Sequence, residues 1–161
     1  MNGTWVGVNP AVPRKVLDEG IRSGAVPSFA GYNEILRDAT YGSRGKVDFM
    51  LLGMEQNCFI NIHGVTWSEG GVALFPDAAS ERPKRSLREL AEVAKQGHRA
   101  VAFFLVLRGD CETFRPAEGV DREYLRAILD AHSAGVELMV YRADVKPDEI
   151  LLGVPIPYSL V

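Results

Sequence analysis

The chain is poor in cysteine. Cys58 and Cys111 are the only two in 161 residues, which makes neither a disulfide framework nor a C-x-x-C redox or metal pair. Cys58 lies in an apolar run and is expected as a small buried hydrophobe. Cys111 lies in a polar stretch and is expected as a free surface thiol. Neither has a histidine and an acid nearby in sequence to make it a nucleophile. No apolar run approaches the ~18 residues that span a bilayer, and no charged-then-apolar leader opens the chain, so no membrane partner is expected and cytoplasmic residence is. Walker, G-x-G-x-x-G and G-x-S-x-G patterns are lacking, which leaves NTPase, dinucleotide and serine-hydrolase readings without support. There is no internal repeat, low-complexity segment or linker tract. Basic residues are also too few for a surface that tracks phosphate everywhere: 18 stand against 21 acidic ones, a net charge of −3. Only a local basic patch remains open, and Arg82, Lys84, Arg85 and Arg88 form the densest.

What is present reads as one domain, 1–161. At 47% apolar and 24% charged residues, the chain can bury a single substantial core. Pro13 fits the first turn of a helix bearing Val16, Leu17 and Ile21 and ending at Gly24. Ser28 is placed to cap a second helix, with Ile35 and Leu36 inward and Asp38 near its end. Strands follow over 46–53 and 58–67 with Glu55-Gln-Asn57 between them, and Gly70-Gly71 turns the chain into a short strand at 72–74. The next helix has Pro83 in its first turn, an apolar face of Leu87, Leu90, Ala91 and Ala94, and a stop at Gly97. The run Ala-Val-Ala-Phe-Phe-Leu-Val-Leu over 100–107 is of the kind buried on both faces of a sheet. Asp121 caps a further helix, with Tyr124, Leu125, Ile128 and Leu129 inward and Gly135 at its end. A core strand over 136–141 and an edge piece at 150–152 complete the chain. The fold class expected is α/β, a mixed sheet of four to five strands flanked by helices.

The stretch richest in chemistry is the hairpin of the first two strands, which brings Asp48, Asn61 and His63 together. An acid on one strand facing two polar residues spaced i, i+2 on the next is the layout of a metal-dependent nuclease core. There the second strand normally supplies an acid at position 61 and a lysine at position 63. Here both are replaced.

With these elements placed, the chain resembles the sugar fermentation stimulation protein A family from Trp5-Val-Gly-Val-Asn9 to about Val154. The blocks that carry the likeness are Ala30-Gly-Tyr32, Tyr41-Gly42, Lys46-Val-Asp48-Phe49, Val65-Thr66 and Gly71-Val-Ala-Leu-Phe-Pro-Asp-Ala78. Glu81-Arg82, Leu87-Arg-Glu-Leu90 and Gly97-His-Arg-Ala100 continue it. The resemblance implies a restriction-endonuclease-like, PD-(D/E)xK topology and DNA association with a regulatory role in sugar metabolism. Family members typically carry an OB-type domain ahead of this one, and the chain matches the second domain alone. Position by position, Asp38 matches the family's helix carboxylate and Asp48 its metal-binding aspartate. Asn61 stands for Glu, His63 for Lys and Gly64 for the following Asn. Arg85 and Ser86 stand where Lys and His are usual.

Two carboxylates in such a site hold Mg²⁺, and a lysine orients or deprotonates the attacking water. Asn61 keeps a carbonyl oxygen without the charge, so Mg²⁺ affinity falls. His63 removes a permanent cation and offers an imidazole, a base near neutral pH and a ligand for Zn²⁺ or Mn²⁺. Three readings follow. The first is a degenerate nuclease-like domain that associates with DNA through Lys46, Arg82, Arg85 and Arg88. The second is a variant phosphodiesterase using Asp38, Asp48, Asn61 and His63, with Asp48, His63 and Glu81 as metal ligands. The third is a protein-interaction domain. Loss of the carboxylate and the lysine together removes metal and water activation at once and favours the first over the second. Bland readings stand beside these. Lys46 also fits a solvated strand end, Asp77 a turn cap, Glu81 a first-turn acid facing the helix dipole, and the arginines a charged solvated face.

Overall fold

The computed structural model of the chain describes residues 11–41 and 45–160. The block Trp5-Val-Gly-Val-Asn9 and Gly42 lie outside the described residues. Helix α1 (Val12–Arg22), a single 3₁₀ turn (Pro27–Phe29) and strand β1 (Glu34–Tyr41) come first. Strands β2 (Gly45–Leu52), β3 (Cys58–Val65), β4 (Trp67–Glu69) and β5 (Val72–Phe75) lead into helix α2 (Glu81–Lys95). Strand β6 (Arg99–Val106), strand β7 (Thr113–Pro116), helix α3 (Arg122–Ser133), strand β8 (Glu137–Val145) and strand β9 (Ile150–Pro155) complete the order.

Six strands form the main sheet in the order β1-β2-β3-β6-β8-β9. Its centre, β3-β6-β8, is parallel, and antiparallel pairs β1-β2-β3 and β8-β9 flank it. The sheet is mixed and covered by helices as expected, but it is wider than four to five strands. A second sheet, β4-β5-β7, stands apart from it. The strand expected over 58–67 ends at Val65, because β4 leaves the main sheet to pair with β5.

The run at the centre explains the two-sided core. Along β6, Val101, Phe103 and Leu105 pack with Val16 and Leu17 of α1, while Ala102, Phe104 and Val106 pack with Leu87 and Leu90 of α2 and Ile128 of α3. Alternate residues of a strand face opposite sides, so a strand covered on both sides must be apolar throughout. The caps on this scaffold behave as read. The Asp121 side chain accepts the Tyr124 N–H at 3.1 Å at the start of α3, and Pro13 sits in the first turn of α1. On α3 the fully buried positions are Tyr124, Ala127, Ile128 and Ala131, with Leu125 and Leu129 only half-buried.

Three expectations need correction. The helix expected after Ser28 is strand β1, paired antiparallel to β2, with Ser28 in the 3₁₀ turn before it. β1 is a sheet edge with Leu36 and Arg37 exposed, and so much solvent exposure hides the period-2 pattern that marks a half-buried strand. Cys111 is fully buried rather than a surface thiol, because β7 carries the loop around it back against β5. Lys84 is not part of an open basic patch. It is buried, with Nζ 3.1 Å from Asp121 and 3.3 Å from Glu123, and so ties the start of α2 to the start of α3.

Because Phe103 and Phe104 are both fully buried on opposite faces of β6, Phe103→Ala and Phe104→Ala should each destabilise by about 3–5 kcal/mol. Urea unfolding of the two variants checks this, and a near-neutral result for either would show that its face of the sheet is open.

Candidate functional site

The β2–β3 ladder pairs Leu51 with Cys58, Met50 with Phe59 and Phe49 with Ile60, and stops there. At the next step side chains take over from backbone. The Asn61 carbonyl oxygen accepts the Asp48 N–H at 3.0 Å, and an Asp48 carboxylate oxygen accepts the Ile62 N–H at 2.8 Å. Amides left unpaired by diverging strands are costly when buried, and these two side chains satisfy them. The Asn61 amide donates onward to the Ser86 hydroxyl of α2 at 2.7 Å.

Distortion of β1 and β2 accompanies this fork. Val47 and Phe49, two apart on β2, belong to opposite cores, whereas an undistorted strand keeps i and i+2 on one face. Across from Asp48, Asp38 adopts φ 52° and is passed over by the β1–β2 ladder. The fork opens a cleft of about 750 Å³ walled by α1, β2, β3 and α2. Arg82, Arg85, Ser86 and Glu89 border it from α2, a stripe at helical spacing of i, i+3, i+4 and i+7.

Charges in the cleft are paired in a particular way. From α1, Arg14 reaches an Asp38 carboxylate oxygen with Nη2, and its Nε stands 3.5 Å from Asp48. Burial nevertheless holds the Asp48 carboxyl above the usual range, ahead of the lowering by the Ile62 amide, Arg14 and Arg82. His63 is more constrained still. Its ring lies between Phe75 and Phe104, with centroids 5.3 Å and 5.4 Å away. Its Nε2 is buried without a hydrogen-bond partner. Burial, aided by the Arg82 charge, pushes its pKa down to about 4, so the imidazole is neutral at physiological pH.

Comparison with known proteins shows the family of the chain. The family model of the sugar fermentation stimulation protein RE domain matches residues 11–149. The chain belongs to the sugar fermentation stimulation protein family. The homologue of Geobacter sulfurreducens is 44% identical over 156 residues, covering 97% of this chain and 67% of that protein. That of Citrifermentans bemidjiense is 41% identical over 159 residues, covering 99% of this chain and 69% of that one. Among solved structures, Pyrococcus furiosus SfsA in complex with Ca²⁺ superposes with a TM-score of 0.85 at 23% identity, over 92% of this chain and 64% of the other. That last likeness speaks for the fold. The chain thus spans about two thirds of the length of these relatives.

Within this family domain the structure gathers Asp38, Asp48, Asn61 and His63 around one cleft, with Lys46, Arg82 and Arg85 on its rim. Asp38 comes from a strand rather than a helix. Three residues singled out in the sequence fall elsewhere. Glu81 and Arg88 do not border the cleft, and exposed Glu81 accepts from Arg88 at 2.7 Å. Asp77 is exposed in the loop before α2. Among the described residues no group of three or more His, Cys, Asp or Glu side chains is arranged to hold a metal ion. Sequence reasoning missed Arg14. Nothing in its neighbourhood sets it apart from the other charged residues of an amphipathic helix.

The neutral imidazole gives a pH dependence. In the unfolded chain His63 titrates near 6.5, and in the fold near about 4. Between those values the unfolded state binds the proton and the folded state does not, so stability falls as the pH drops through this window. At ~1.4 kcal/mol per pH unit, the loss is on the order of a few kcal/mol at most, since His63 is only half-buried at the cleft wall. His63→Phe removes the titration and keeps an aromatic ring between Phe75 and Phe104. Melting curves should show the wild type losing stability relative to this variant from pH 6.5 downward, and parallel curves would refute the assignment.

Proposed function

We propose that this domain associates with nucleic acid through the phosphodiester backbone, using a nuclease-like cleft that does not cut by a metal-dependent route. The regulatory role in sugar fermentation suggested by the name of its relatives fits such a binding module. The observation that carries the reading is the charge of the cleft. Lys46, Arg82 and Arg85 stand on its rim, whereas Asp48 gives one carboxylate oxygen to the Ile62 amide and turns the other toward Arg14.

A second reading, a variant phosphodiesterase, draws support from the Ca²⁺ complex of the Pyrococcus furiosus relative. The residues present here do not fit a divalent ion. Mg²⁺ and Mn²⁺ require several hard oxygen ligands, yet the Asn61 carbonyl oxygen is occupied by the Asp48 amide, the Asp38 carboxylate by Arg14, and Glu81 lies elsewhere. The Nε2 of His63 is buried without a hydrogen-bond partner, and its ring lies between Phe75 and Phe104.

Association through a few phosphates should weaken with log[salt] at a slope of about −0.9 per contact on duplex DNA. Three rim cations therefore predict a slope of about −2 to −3, reduced by about 1 in Arg82→Gln and again in Arg85→Gln. Fluorescence anisotropy with labelled duplex and single-stranded DNA measures this. No binding even at low salt would leave the protein-interaction reading standing. Cleavage that requires Mg²⁺, Mn²⁺ or Zn²⁺ and vanishes in Asp48→Ala would restore the enzyme reading.

A further inference from the structure

We infer that Arg14 is a tethered cation that occupies the place between Asp38 and Asp48 where a divalent ion would sit, and that it excludes such an ion from the cleft. The geometry is that of one guanidinium serving two carboxylates. Nη2 meets Asp38, and Nε lies 3.5 Å from the Asp48 oxygen that the Ile62 amide does not use. A guanidinium carries donors on more than one edge and keeps its charge at any physiological pH, which suits it to this bridging position.

The backbone around Arg14 is arranged to hold it there. Gly64 of β3 lies directly under the start of α1, and a Cβ on it would come within 2.8 Å of Pro13 Cγ. The missing side chain lets Pro13 press against the sheet and brings the next residue, Arg14, over the fork. Farther along the helix, Asp18 accepts from Arg22 of α1 and Arg37 of β1, which fixes α1 against the strand that carries Asp38. Arg14 is therefore placed by packing on one side and an ion-pair cluster on the other.

A divalent ion entering this position would have to displace a positive group that cannot diffuse away, whose effective concentration is set by a short tether. The neighbours offer little in return. Asn61 is engaged with Asp48 and Ser86, and Arg82 adds a second positive charge toward Asp48. The assignment deepens the metal-free reading of the cleft. Its test uses the metal ion alone, so nucleic-acid binding can fail without touching it.

The experiment is Mn²⁺ binding at neutral pH, followed by isothermal calorimetry and by the electron paramagnetic resonance signal of free Mn²⁺. Wild type, Arg14→Gln, Arg14→Lys and the double variant Arg14→Gln/Asp48→Asn are compared after circular dichroism confirms that each is folded. Arg14→Gln should bind Mn²⁺ about tenfold or more tighter than wild type, a change of ~1.4 kcal/mol or more. Arg14→Lys should retain most of the exclusion, and Asp48→Asn should abolish the gain. Equal Mn²⁺ affinity in wild type and Arg14→Gln, or no binding by either, would overturn the proposal. A gain that survives Asp48→Asn would overturn it as well, by placing the ion elsewhere.

Discussion

The exchange of side chain for backbone at the end of the β2–β3 ladder is the contact on which the cleft depends. Two strands cannot diverge inside a protein unless the amides they release find acceptors. Asn61 and Asp48 each accept one, at 3.0 Å and 2.8 Å. This explains why asparagine serves at position 61. The acceptor needs only a carbonyl oxygen, and a second carboxylate buried beside Asp48 would add repulsion and a desolvation cost. The amide nitrogen also gives Asn61 something a carboxylate lacks, a donor for Ser86 on α2. Strand, strand and helix are thereby joined at one residue that is almost fully buried.

Much of the fold is legible in the sequence wherever a single local rule decides the outcome. The uninterrupted run over 100–107 has one reading, a strand covered on both sides, and β6 is that strand. Asp121 three residues before Tyr124 has one reading, a helix cap, and its side chain makes that bond. The rule fails where tertiary contacts override local pattern. Glu34–Tyr41 pairs with β2 as an edge strand, and its exposed residues follow neither period well enough to choose. Cys111 sits among polar neighbours in sequence, yet β5 and β7 close around it. The second sheet depends on β4 turning away just after Val65, which composition does not announce.

Much the same division holds at the candidate site. Asp48, Asn61 and His63 are brought together because hairpin pairing is a local matter, and α2 presents Arg82 and Arg85 to the same cleft because their spacing is helical. The partners of these residues are not legible. Lys84, in the middle of the basic cluster, is buried against Asp121 and Glu123, and Arg88 is turned toward Glu81. A run of like charges on a helix distributes around its axis, so adjacency in sequence says nothing about a shared surface. Arg14, some 34 residues before Asp48 in sequence, enters only through the packing of α1 on β3 at Gly64.

The proposed binding rests on the balance of charge at the fork. Among the described residues its lining holds Arg14, Lys46, Arg82 and Arg85 against Asp38, Asp48 and Glu89, four cations facing three carboxylates, in a chain whose overall charge is −3. The site is therefore locally positive on a negative molecule. His63 adds nothing to that sum at neutral pH, because burial keeps its imidazole uncharged. A divalent cation would raise the positive excess and meet an arginine already bridging the two acids. A phosphodiester brings a single negative charge to a rim whose side chains offer planar, multi-donor guanidinium groups suited to phosphate. On the proposed reading, Arg14 holding the carboxylates leaves the attraction of Arg82 and Arg85 for such an anion less opposed from within the cleft.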